Sequence, residues 1–193
     1  MSLLLQFDES APEEPRTRAS TQADIVSALA PLGVSFERWN AREPLPDDAT
    51  VEQILRAYAP DIERLKTTRG YRSADVVRLK QNPNDPEWSS KAAAARGKFL
   101  DEHTHAEDEV RFFVEGSGMF YLRGAGRVTL MLCERGDLLS VPAGTRHWFD
   151  MGSNPAFCAI RLFGSEGGWI ANFTGDKIAK RFPSFDLARE RYC

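Results

Sequence analysis

From about residue 73 onward the apolar residues stop falling at helical spacing and gather in short runs. ADVVRLK, VRFFVEG, GMFYLRG, RVTLMLCERG, DLLSVPAG, RHWFDMG and AFCAIRLFG are rich in β-branched and aromatic residues, with Gly, Pro, Asn and Asp between them. That punctuation predicts an all-β sandwich or barrel. Before residue 73 the pattern is different. Ser20 or Thr21 can cap a helix over TQADIVSALAPLG, with Gly33 as its stop. Thr50 precedes VEQILRAYAPDIERLKTTRG, where Val51, Ile54, Leu55, Tyr58, Ile62 and Leu65 fall near helical spacing. Pro60 is expected to kink or split that helix, and Asp47 and Asp48 suit its positive end. MSLLLQFDES and VSFERWN read as extended, and APEEPRTRAS as loop. QNPNDPEWSSKAAAARG interrupts the β region, with AAAAR as a helical turn. The tail, TGDKIAKRFPSFDLARERYC, is partly amphipathic and is expected to pack outside or fray. The expectation is one domain over 1–193: a helical N-terminal elaboration (1–72), a β-barrel (73–172) and a C-terminal tail (173–193).

Composition narrows the class. The chain has 193 residues, 42% hydrophobic and 27% charged, which suits one soluble globular domain with a sizeable core. A net charge of −3 offers no electrostatic footprint for nucleic acid. The longest apolar runs are too short to span a bilayer. The opening has no basic region and meets acid at once, unlike a signal peptide. Cys133, Cys158 and Cys193 are an odd count without CxxC spacing, which fits reduced thiols. A cytoplasmic location is expected, with no nucleic-acid or membrane partner, and nothing calls for more than a monomer.

The candidate chemistry lies in GKFLDEHTHAEDEVRFFVEG, residues 97–116, which holds two of the three histidines. In a strand, residues i and i+2 share a face, so His103 and His105 aim two imidazoles into one space. Glu109 follows four residues on. His147 stands in VPAGTRHWFD, among turns marked by Gly136-Asp137 and Pro142-Ala143-Gly144, so a later strand can return it to the pair. Three imidazoles and a carboxylate suit a divalent transition metal, and on an octahedral ion they leave two positions for substrate. The alternative is a charged edge: a lone His-x-His is weak evidence, and Glu102, Glu107 and Asp108 can simply be solvated. The choice turns on every histidine in the chain falling within one spaced pattern. Arg111 lies two residues beyond Glu109, so a continuing strand points both inward; a surface salt bridge is the competing reading. Glu102 and Asp108 are candidates to accept from imidazole N–H groups, or else to face solvent. Phe99, Phe149 and Trp169 are candidates for an apolar wall, although barrel aromatics more often fill core. Arg161 is either a second inward cation or half of a cross-strand ion pair.

The spacing carries a resemblance. Gly97, five residues, His103-x-His105, three residues, Glu109, six residues, Gly116 resembles the first cupin motif. Gly136, five residues, Pro142-x-Gly144, two residues, His147 resembles the second, departing where Met151 replaces the usual Asn. The longer text, HTHAEDEVRFFVEGSGMFYL and GDLLSVPAGTRHWFDMG, with VRLK before and RLFGSEGGWIANFTG after, is similar to the acireductone dioxygenase family. That resemblance implies a mainly β cupin (jelly-roll) barrel with one Fe2+ or Ni2+ per chain, held by His103, His105, Glu109 and His147. It implies a small-molecule acireductone and O2 as substrates, in methionine salvage. It also implies that Arg111 favours the doubly ionised substrate, that Glu102 assists metal incorporation, and that Asp108 transmits local conformational change. Oxalate oxidase or quercetin dioxygenase chemistry uses the same ligands but does not explain EDEVRFFVEG joined to the helical part. A non-catalytic metal- or sugar-binding cupin is the reading from another class.

Overall fold

The computed structural model describes residues 1–39, 45–46, 48–82, 84–165 and 169–193. Its strands are β1 (Leu3–Asp8), β2 (Thr17–Ala19), β3 (Ser35–Arg38), β4 (Ser73–Leu79), β5 (His103–Thr104), β6 (Glu109–Gly124), β7 (Arg127–Glu134), β8 (Asp137–Val141), β9 (Arg146–Asp150), β10 (Phe157–Phe163) and β11 (Asn172–Phe173). They form two antiparallel sheets that share β6. One runs β11-β5-β9-β6-β7-β1-β2, and the other runs β3-β8-β6-β10-β4. The inner faces meet over a core that includes Leu4, Phe113, Phe120, Leu122, Met131, Leu139, Phe149 and Ala159. This is the mainly β barrel that the short apolar runs predict.

β6 passes from one sheet to the other. Its first half pairs with β8 and β10, and its second half with β7 and β9. The changeover falls at Gly116, whose φ is +67° and where a Cβ would lie 1.8 Å from the Ala156 carbonyl oxygen. Only glycine fits there. The register with β10 slips between Cys158 and Ala159, leaving Val114 without a facing partner. The slip changes which alternate residues point inward: Phe113 before it, Phe120 and Leu122 after it.

Helices cover both outer faces. α1 (Gln22–Leu29) starts at Thr21, whose Oγ1 accepts from the Asp24 amide at 3.2 Å. Pro60 does split the second helical stretch: α2 (Val51–Ala57) ends at Tyr58 and α3 (Ala59–Arg69) carries the proline in its first turn. Thr50 and Gln53 close a reciprocal capping box on α2. Asp47, assigned to the same helix end, lies outside the described residues. α2 and α3 lay Ile54, Tyr58, Ile62 and Leu65 over the outward Val110, Phe112, Leu138 and Ile160. α4 (Trp88–Gly97) is a full helix where only a turn was expected. α5 (Phe185–Tyr192) packs with Ile178 and Phe182 over the outward Leu3, Leu5, Phe7, Tyr121 and Trp148. The tail therefore docks and does not fray.

The expected boundary at residue 73 needs correction. β1 pairs with β7 over six positions, and β3 pairs with β8, so the N-terminal segment supplies barrel strands as well as helices. β1 is buried on both faces, under the core on one side and α5 on the other, which is why LLLQF shows no alternation. Among the described residues no helix is long and apolar enough to cross a membrane.

Candidate metal centre

His103 and His147 stand directly opposite each other on β5 and β9. The chain leaves β5 at His105, turns, and enters β6 at Glu109. The Gly144 amide donates to the His105 carbonyl at 2.9 Å, which ties the two motif turns together. All four side chains are buried, and one ligand atom from each lies within 4.8 Å of the others.

The imidazoles are oriented by main-chain oxygens. Nδ1 of His103 lies 2.8 Å from the Asp101 carbonyl, Nδ1 of His105 2.9 Å from that of Ile170, and Nδ1 of His147 2.8 Å from that of Thr145. A carbonyl only accepts, so each Nδ1 carries hydrogen, and a ring in its neutral form turns a bare Nε2 inward. Nε2 of His147 lies 2.8 Å and Nε2 of His105 3.2 Å from the same Glu109 Oε2. In the neutral rings lone pairs thus face a buried carboxylate oxygen, and a cation bound among the four side chains relieves that contact. The donor set therefore fits a divalent metal ion. Burial holds His103 neutral, lowering its pKa to about 4. Burial also pushes His105 down, but the Glu109 carboxylate more than offsets this and leaves it raised. Burial pushes the Glu109 carboxyl up, yet Arg111 and the two rings hold it well below the usual range.

Arg111 is buried with its Nε 2.7 Å from Glu109 Oε1, close for an ion pair but not aligned as a hydrogen bond; neither atom has another partner. Burial lowers its pKa and Glu109 opposes that shift. The guanidinium stays charged. It sits within 6 Å of four ring centroids: Phe149 at 4.4 Å, Phe120 at 5.4 Å, Trp169 at 5.6 Å and Phe99 at 5.7 Å. The three aromatics singled out in the sequence thus converge on Arg111. Phe120 joins them unforeseen, because the register slip in β6 hides its inward direction. Its one sequence signal is membership of the apolar run GMFYL. Gly118 makes room for this group, since a Cβ there would lie 2.3 Å from Phe149 Cζ.

The remaining candidates take other positions. Arg161 forms a two-pronged ion pair with Asp75 directly across the β10–β4 pair, at 2.8 and 2.6 Å, and also lies over Trp169. Neither Glu102 nor Asp108 accepts from an imidazole, because the main-chain carbonyls take all three Nδ1 hydrogens. Asp108 accepts from the Ala143 amide at 3.0 Å and from Tyr71 Oη at 3.4 Å, so it anchors the turn before His147. Glu102 is buried and accepts from Arg123 and Thr174. The segment from Trp169 onward, missed as a structural part of the centre, crosses its rim. The Trp169 indole donates to the Asp108 carbonyl at 3.0 Å, Ile170 supplies the oxygen for His105, and β11 pairs with β5.

Residues 4–171 match the ARD/ARD' family. The chain belongs to that family. Two curated relatives agree with this over nearly the whole length. "Acireductone dioxygenase" of Pseudomonas paraeruginosa is 54% identical over 183 residues, covering 95% of this chain and 98% of the relative. "Acireductone dioxygenase 1" of Nocardia farcinica is 50% identical over 186 residues, covering 96% and 98%. A solved structure, "Acireductone dioxygenase from Bacillus anthracis with cadmium ion in active center", superposes with a TM-score of 0.75 at 29% identity, covering 90% of this chain and 98% of that one. This ARD/ARD' family member therefore shares its cupin barrel with a structurally characterised relative.

Proposed function

We propose that the protein is a divalent-metal-dependent acireductone dioxygenase with His103, His105, Glu109 and His147 as its metal ligands. The carrying observation is the pair of bare Nε2 atoms set against the buried Glu109 carboxylate. Family membership and the relatives' names support the reaction class. The substrate is 1,2-dihydroxy-3-oxo-5-(methylthio)pent-1-ene, which reacts with O2. With iron(II) the products are formate and 4-methylthio-2-oxobutanoate, the keto acid of methionine, which places the reaction in methionine salvage. With nickel(II) they are formate, carbon monoxide and 3-(methylthio)propanoate. Both sets balance the substrate plus one O2.

The bound ion supplies Lewis-acid and templating chemistry. The chain's own residues do the rest. Arg111 places a permanent positive charge beside Glu109, where it favours the enediol in its doubly deprotonated form. The ring of Phe99, Phe120, Phe149 and Trp169 lowers the local dielectric, which strengthens that attraction. Phe99 and Trp169, the two of these rings that are only partly buried, offer an apolar surface to the methylthio tail, whose sulfur contacts aromatic edges favourably. Arg161 lies at the same rim, with its charge already matched by Asp75. The protein works on small molecules in the cytoplasm and as a monomer.

The test is to mix acireductone anaerobically with iron-loaded, nickel-loaded and metal-free protein, then admit oxygen. Accelerated loss with formate release is expected for both loaded forms, with keto acid from iron and carbon monoxide from nickel. Loss no faster than with metal-free protein overturns the reading.

A further inference from the structure

Arg123, near the end of β6, meets three carboxylates. It pairs with Glu9, lies 3.1 Å from Glu102 Oε1, and lies 2.8 Å from Asp176 Oδ2. Each comes from a different part of the chain: Glu9 follows β1, Glu102 immediately precedes His103, and Asp176 follows β11. The Glu102 carboxylate is fully buried, and Arg123 is its cationic partner; Thr174 Oγ1 donates to its other oxygen at 2.7 Å. A buried carboxylate without such a partner is costly. The Thr174 amide also donates to the Glu102 carbonyl at 3.1 Å.

These contacts hold residues 170–176 as a strap across the rim of the centre. Asn172 pairs with Thr104 and Phe173 with His103, and the Phe173 ring meets the His103 ring edge-on at 5.7 Å. The Ile170 carbonyl at the start of the strap fixes the His105 ring. Most of the strap is exposed and β11 is only two residues long, so its own pairing is weak. Asp176 at its end is tied to Arg123, on the strand that begins with Glu109.

We propose that Arg123 is a positioning residue for the metal centre: through Glu102 and Asp176 it clamps the 170–176 strap, which keeps the His103 and His105 rings aimed inward and slows release of the bound ion. This rests on the metal-site reading above. Removing groups that orient metal ligands typically costs about 10- to 100-fold in metal affinity.

The experiment loads the full chain with nickel(II), adds excess EDTA, and follows nickel release. Hydrogen exchange at the 172–174 amides is measured in parallel. Asp176→Asn removes the charge from a partly exposed contact, so it is expected to leave thermal stability nearly unchanged. It should nonetheless speed nickel release and exchange in the strap, while α2 and α3 exchange as before. Arg123→Met should release nickel about 10-fold faster or more, with Arg123→Lys restoring part of the loss. Should Arg123→Met fail to fold, Glu102→Gln/Arg123→Met removes the unpaired buried charge; it should fold and still release nickel fast. Release rates equal to wild type in Asp176→Asn and in either folded Arg123 variant overturn the proposal. Wild-type protein that takes up no nickel overturns the metal-site reading, and this proposal with it.

Discussion

Nε2 of His147 stands 2.8 Å from Oε2 of Glu109, while the hydrogen on its Nδ1 is committed to the Thr145 carbonyl. The two facing atoms are both acceptors in the neutral ring. Their approach makes sense around a cation, and the next experiments follow from that.

Glu109→Gln replaces the anionic donor with a neutral amide of the same shape. After gel filtration, metal analysis should fall from one ion per chain to near none, and His105→Ala should do the same. Glu109→Gln also leaves Arg111 buried without its counter-charge, which costs about 3–5 kcal/mol and is read by denaturant unfolding. Full metal occupancy in either variant would remove that residue from the ligand set.

Arg111→Met keeps a side chain of similar length and removes the charge. The ion should be retained, because no donor is lost and the competing cation beside Glu109 is gone. Turnover should drop about 100- to 1000-fold, the range for losing one preorganised electrostatic contact. Steady-state rates on metal-loaded protein check this, and unchanged turnover would refute the charge argument.

Gly118→Ala drives a methyl into Phe149, the ring nearest to the Arg111 guanidinium. Overpacking of this kind costs about 1–3 kcal/mol. Phe149→Leu should relieve it, so the double variant Gly118→Ala/Phe149→Leu should lose less stability than the two single losses added together. Additive losses would mean that the two positions do not compete for the same space.

Metal-free protein should lose stability as pH falls from 6.5 towards 4. The folded pKa of His103 is about 4, below its ordinary 6.5, so the unfolded chain binds the extra proton first. Its contribution is present above pH 6.5 and lost as pH falls through the folded value. His105, raised, acts in the opposite sense and above that window: its contribution is present below 6.5 and lost as pH rises through its folded value. Thermal unfolding of the metal-free protein from pH 4 to 7 measures the slope, and His103→Gln should flatten it. An unchanged slope would show that other groups set it.

Much of the centre is legible in the sequence. His103, His105, Glu109 and His147 were readable because motif spacing records which residues share a strand face and which follow a turn. Pro60 and Thr50 announced a helix break and a helix start through local backbone chemistry alone. The roles of Glu102 and Asp108 were not legible, since each stands just before a strand, where the alternation of faces does not yet fix its direction. Here both turn away from the rings, to Arg123 and to the turn at Ala143.

By itself, then, the sequence determined the β-rich class and the helical punctuation, which depend on contacts or alternation within a few residues, and the four-residue donor pattern, which two spaced motifs record. The tertiary structure alone decided that β1 and β3 belong to the barrel, that Phe120 joins the rings around Arg111, and that residues 170–176 cross the rim. The reason is physical: which face of a strand points inward after a bulge, and which distant segment supplies the carbonyl behind an imidazole, are settled by register between strands far apart in the chain, and no local pattern carries that information.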